Sequence, residues 1–179
     1  MTRYAALLRG VNVGGRRKVP MADLRAVLAG LGHTEPATLL QSGNAVFTAR
    51  EGGGGADALR AELEGALADR FGFPVDALLR DEAELSAVVD ANPLEVGDPS
   101  RFLVLFVDGP VAPADLAGID ADAHAPEAMA AGEREVYLAL PDGLRNAKLP
   151  GLVERALRGR IATGRNWRTV ARLLEMVRG

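Results

Sequence analysis

The 179-residue chain contains no cysteine, which excludes disulfides, thiolate metal ligands and a cysteine nucleophile. Serine and histidine are almost as scarce. Ser42, Ser86, Ser100, His33 and His124 are the whole supply, and no Gly-x-Ser-x-Gly elbow is present, so a serine-histidine triad has almost no material. Aromatic residues make up only 4% of the chain. There is no excess of positive charge either: the formal net charge of −3 and pI near 5.5 oppose bulk attraction to nucleic acid or anionic membranes, and any such binding needs a local basic patch. Apolar runs such as Phe102–Val107 are strand-sized, too short to span a bilayer. The N-terminus lacks the basic flank, apolar run and cleavage site of a signal peptide, so the expected location is cytoplasmic, with no membrane partner.

What is present is a hydrophobic content of 48%, ample for a core in one domain or in two small halves. The most informative stretch is 4–20. An almost unbroken apolar run ends at Arg9 and Gly10, passes through Gly14 and Gly15 into Arg16, Arg17 and Lys18, and reaches Pro20. This reads as a strand apolar on both faces, a loop, and a helix with Pro20 at its first position. Met21, Leu24, Val27, Leu28 and Leu31 continue as a helical stripe stopped by Gly32. Residues 38–41 and 45–48 are strand-like and flank a Ser42-Gly43-Asn44 turn, which predicts a hairpin. After a glycine-rich connector at 51–55, Leu59, Leu63, Leu67 and Phe71 mark a helix over Ala56–Phe71, and 75–80 is the next strand. Strand, helix, strand, strand, helix, strand is the ferredoxin-like order.

Asp81 with Glu84 predicts a capping box on a third helix that ends at Asn92-Pro93, and 93–101 reads as a link. The first half is thus 1–92 and the second 93–179. The second opens with another central strand, Phe102–Val107, followed by a short helix at 113–117 and an acidic stretch at 118–126 that takes no clear assignment. Alternation at 135–140 marks a hairpin strand stopped by Pro141-Asp142-Gly143. A helix is expected at 152–157, a short closing strand at 160–163, and a last helix capped by Asn166 that carries Trp167, Val170, Leu174 and Val177 on one face. The expected class is α+β, two ferredoxin-like (split βαβ) halves with an additional C-terminal helix. The halves repeat the order of elements without a visible sequence repeat.

Residues 7–15 (Leu-Leu-Arg-Gly-Val-Asn-Val-Gly-Gly), 18–25, 40–47 and 165–170 closely resemble the bacterial family known as domain of unknown function 1697. The resemblance extends to Ala91-Asn92-Pro93, Tyr137-Leu138 and Lys148-Leu149, and is weakest over 118–131. It implies a cytoplasmic bacterial α+β protein of ferredoxin-like character with no assigned activity, so no catalytic role can be carried over.

The sharpest candidate site is the loop holding Arg9, Asn12, Gly14, Gly15, Arg16 and Lys18. Glycines allow successive amide hydrogens to point into one concavity, and nearby cations can hold phosphate or carboxylate oxygens. The spacing matches neither a Walker A loop nor a dinucleotide fingerprint, and a turn followed by a solvated basic face is the competing reading. Arg165, Asn166 and Arg168 form a second candidate at the start of the last helix, where Asn166 could equally be a plain cap and Trp167 plain core. Ser42 and Asn44 could add polar contacts at the same edge. Asp120, Asp122, His124 and Glu127 are the one cluster of metal-ligand types, but their spacing fits no metal loop and reads as a solvated acidic connector. No motif calls for a cofactor.

The expected function is therefore binding of a small anionic ligand, phosphorylated ligands included, between the first loop and the 165–168 segment. The alternatives are an enzyme acting on such a ligand, for which no base stands out, and an RNA-binding sheet. The last is disfavoured by the acidic chain, by the absence of the RNP signature, and because only Tyr4 and Phe47 are available for stacking.

Overall fold

The computed structural model describes all 179 residues, which divide into two units: Met1–Leu85 with Leu173–Gly179, and Ser86–Arg172. Each unit contains one four-stranded antiparallel sheet.

In the first unit β1 (Arg3–Leu8) lies between β3 (Asn44–Thr48) and β4 (Ala77–Asp81), with β2 (Thr34–Leu39) outside β3, giving the order β2-β3-β1-β4. This is the ferredoxin-like arrangement. The apolar run of β1 is buried on both faces, as a central strand must be. One face is covered by α1 (Met21–Gly30) and α2 (Ala56–Phe71), whose stripes of Met21, Leu24 and Leu28 and of Leu59, Leu63 and Leu67 pack with Ala6, Leu8, Phe47 and Leu79. Each fully buried leucine contributes about 1.5–3 kcal/mol to this core. Gly72, at φ +76°, ends α2 in the left-handed cap expected of it. Pro20 is the residue before α1, with helical geometry starting at Met21.

In the second unit β5 (Phe102–Val107) is central, and the order is β6-β7-β5-β8 with β6 (Ala128–Ala131), β7 (Glu135–Ala139) and β8 (Ala162–Asn166). The short α4 (Pro113–Leu116) and α5 (Leu149–Ala156) enclose a core of Leu105, Val107, Val136, Leu138, Leu149 and Val153. The chain is thus two ferredoxin-like halves, with α3 (Glu82–Asp90) after the first sheet and α6 (Trp167–Arg178) after the second.

Strand register exposes a correspondence that side-chain identity conceals. Ala5 of β1 pairs with Val46 and Arg80; Val104 of β5 pairs with Tyr137 and Arg165. Aligned on that pairing, buried Arg80 matches buried Arg165, and buried Asn44 matches buried Glu135. Asp81 matches Asn166, and each caps the helix that follows its sheet. The Asp81 carboxylate accepts from the Glu84 amide at 2.9 Å while Glu84 accepts from the Asp81 amide at 3.0 Å, the predicted capping box. Asn166 Oδ1 accepts from the Thr169 amide at 2.9 Å.

The element that sequence reading left unassigned is β6. Its alanines and single methionine carry little strand signal, and the preceding acidic segment serves elsewhere. The Glu127 carboxylate accepts from the Lys148 amide at 2.9 and 3.0 Å and from the Leu149 amide at 2.8 Å, capping α5 from a distant point in the chain. β8 also lies two to three residues later than expected, and α5 begins three residues earlier. Gly164 and Asn166 are poor strand formers held in place by pairing with β5.

Candidate functional site

Leu8 ends β1 by donating its amide to Gly43 O at 2.8 Å, and the chain leaves the sheet at Arg9. Arg9 is exposed, past the strand end, and Nη1 lies 3.3 Å from Asp76 Oδ2. Its amide also donates to Asp76 O at 2.9 Å. At about half exposure for both side chains this pair is worth under about 1 kcal/mol, enough to bias position and little more.

Asn12 organises the loop. Its Oδ1 accepts from the Val19 amide at 2.8 Å, while Nδ2 donates to Val19 O at 2.9 Å and to Gln41 O at 2.6 Å. The carboxamide thus pairs with a backbone as a neighbouring strand would, closing the loop at its base and tying it to the β2–β3 turn. Within this closure Val13-Gly14-Gly15-Arg16 forms a tight hairpin, with the Arg16 amide donating to Val13 O at 3.1 Å. Gly14 and Gly15 sit at φ +58° and +74°, the two left-handed positions that such a turn demands. Open space surrounds them, since an added Cβ at either would meet no atom within 4 Å.

The three cations of the loop have different roles. Arg17, at φ +49°, lays its guanidinium 5.3 Å from the centroid of the Phe73 ring and donates to Pro74 O, anchoring the far side of the hairpin. Arg16 and Lys18 are exposed and engage in no ion pair. The β2–β3 turn beside them is equally fixed. Asn44 is fully buried and donates to Leu39 O at 3.0 Å and Ser42 Oγ at 2.9 Å. A Cβ on Gly43 would stand 2.6 Å from Val11 Cγ2, so this position has no room for a side chain.

Arg9, Asn12, Gly14, Gly15, Arg16, Lys18, Ser42 and Asn44 therefore share one end of the first sheet. Asn12 and Asn44 have their side chains committed to backbone and turn. Arg165, Asn166 and Arg168 belong to the second unit. Arg165 is 7% exposed and hydrogen-bonds Thr163 Oγ1 and Gly164 O at 2.8 Å each. Burial pushes its pKa down to about 10, so it remains charged at neutral pH. Asn166 caps α6, and Trp167 packs edge-on against Phe102 with ring centroids 5.3 Å apart. Exposed Arg168 contributes to the field at Asp98. That carboxyl is held below its usual range first by the Ser100 hydroxyl, then by the Ser100 amide, with Arg101 and Arg168 adding smaller effects against a small desolvation cost.

Sequence reasoning missed the partners that shape the loop, Asp76, Phe73 and Pro74, which lie some 60 residues downstream of it. It also missed two clefts. One of about 420 Å³ lies at the opposite end of the first sheet, lined by Thr2, Tyr4, Arg50 and Gly52, Gly53 and Gly54 among others. Another of about 220 Å³ in the second unit is lined by Glu95, Asp98, Arg101, Phe102, Leu140 and Pro141 among others. The quadruple glycine at 52–55 was the available signal for the first.

Fold and loop together define an α+β protein of two ferredoxin-like halves whose first sheet ends in a clasped, basic hairpin. The chain belongs to the family described as a protein of unknown function, DUF1697, whose sequence profile matches residues 1–137. In structure it is similar to the conserved bacterial protein SP0830 from Streptococcus pneumoniae, with a TM-score of 0.78 over 100% of this chain and 99% of that one. The two are 24% identical, so this likeness speaks for the fold alone. No curated protein matches the chain. No helix is long and apolar enough to cross a membrane.

Proposed function

We propose that the Arg9 to Lys18 loop, with the adjoining Ser42 turn, is an anion-binding element that receives a phosphate or carboxylate group on Arg16 and Lys18. One observation carries this reading: two cations free of acidic partners stand on a loop whose conformation is fixed at considerable local cost. Asn12, Arg17 and Leu40, three of the four non-glycine residues with positive φ, are at this end of the sheet. Strain of this kind, about 1–3 kcal/mol per residue, persists where surrounding contacts impose it and concentrates at functional positions. A loop already rigid loses little entropy on binding.

Binding is favoured over catalysis because the carboxylate at this loop, Asp76, is already paired with Arg9, which leaves no evident general base. Arg165 and Asn166 have work within their own unit, and the reading rests on the first unit alone. A thermal-shift screen with nucleotides and phosphorylated metabolites tests it, since a ligand at 100 times its dissociation constant adds ~2.7 kcal/mol to stability. The expected hit disappears in the Arg16→Ala/Lys18→Ala double variant. A shift of undiminished size in that variant would place the ligand elsewhere.

A further inference from the structure

We propose that the anion received by this loop is carried by an acidic segment of another protein, which also covers the exposed side chains of Val13 and Leu40. The inference rests on the anion-binding reading above and adds the partner to it. Val13 is 66% exposed and Leu40 is 61% exposed, two of only four large apolar residues left so open in the chain. The residues beside them are joined directly, Asn12 Nδ2 to Gln41 O at 2.6 Å, so the two side chains stand on adjacent, mutually fastened turns. Leu40 is also held at φ +58°, a conformation that costs a leucine strain and returns no burial. A residue that breaks both a packing rule and a backbone rule without local compensation marks a surface shaped for something outside the chain.

The chemistry of that surface selects the partner. Arg16 bridges to Val13 across the hairpin and Lys18 follows two residues later, so the complementary surface carries negative charge beside apolar groups. Gly14 and Gly15 face open space, so a small anion can reach Arg16 and Lys18 there but leaves Val13 and Leu40 uncovered. A bilayer would favour aromatic anchors at its interface, and the loop has none. Nucleic acid would use the cations and leave Val13 and Leu40 without a role. An acidic polypeptide with aliphatic side chains satisfies both parts.

The test is panning of a phage-displayed random peptide library on the full-length protein, with the Val13→Ser/Leu40→Ser/Arg16→Ala/Lys18→Ala variant as counter-target. Selected peptides are expected to combine Asp or Glu with aliphatic residues. When synthesised and titrated by fluorescence anisotropy, they should lose about tenfold in affinity with Val13→Ser/Leu40→Ser and about tenfold with Arg16→Ala/Lys18→Ala. Absence of enrichment, or peptides that bind the variants as well as the wild type, would overturn the proposal. So would tighter binding to phosphatidylglycerol vesicles or to single-stranded RNA in the same assay. Inorganic pyrophosphate is titrated in parallel: if it binds through Arg16 and Lys18 while no peptide does, the partner is wrong and the anion site stands. If neither binds, both readings fall.

Discussion

At the scale of single residues, Asn12 decides the shape of the loop. Asparagine tolerates φ +57° and offers both an acceptor and two donors, and here both Nδ2 hydrogens are donated and Oδ1 accepts once. Asn12→Ala removes three hydrogen bonds from a half-buried position and leaves the Val19 backbone unpaired, so we expect a loss of about 1–3 kcal/mol in denaturant unfolding. His33 offers a second residue-scale test. It is 3% exposed, its Nδ1 accepts from the Arg50 amide at 3.2 Å, and its ring lies 4.5 Å from that of Phe47. Burial first, and then the Arg50 charge, lower its pKa below 6.5, with Glu62 opposing. The unfolded chain therefore binds a proton more readily than the folded one. The stabilising contribution is complete above pH 6.5 and falls away as the pH drops below that value toward the folded pKa. A urea titration series over this range should show that decline in the wild type, and a flatter profile in His33→Gln.

At the scale of elements, the legible parts were those whose local chemistry agrees with their fate. The capping box of Asp81 and Glu84, the αL stop at Gly72 and the continuous apolar runs of β1 and β5 were all readable because the signals lie within a few residues. β6 was not, since three alanines and a methionine at a sheet edge have no periodicity to detect, and its assignment depends on pairing with β7. Two substitutions test the element-scale account. Asp81→Ala should cost about 0.5–2 kcal/mol by removing the α3 cap. Gly43→Ala combines a φ of +82° with contacts of 2.6 and 2.8 Å to Val11 and Leu8, and should cost about 2–4 kcal/mol by chemical denaturation.

At the scale of the whole molecule, the repeat was visible only as an order of elements, because the correspondence rests on register and burial. Arg80 and Arg165 occupy matched positions on the fourth strand of each sheet, yet their neighbours Leu79 and Gly164, or Leu78 and Thr163, share little. The same scale explains why the candidate site was only partly legible. Glycines and cations advertise a loop, but Asp76, Phe73 and Asn12's partner at Gln41 come together only through the sheet. Net charge acts here too: in a chain of formal charge −3, attraction of the proposed anion to Arg16 and Lys18 rests on a local field, which salt screens over ~8–10 Å. Any anionic ligand of the loop should accordingly bind more weakly at higher ionic strength, measured by repeating the titration at rising sodium chloride concentration.

The most direct measurement is isothermal titration of the full chain with the phosphorylated compound that gives the largest thermal shift, comparing wild type with Arg16→Ala/Lys18→Ala. The account predicts at least about tenfold weaker binding in the variant, with the melting temperature of the ligand-free protein essentially unchanged because both side chains are exposed and unpaired. Equal dissociation constants for the two proteins would contradict it.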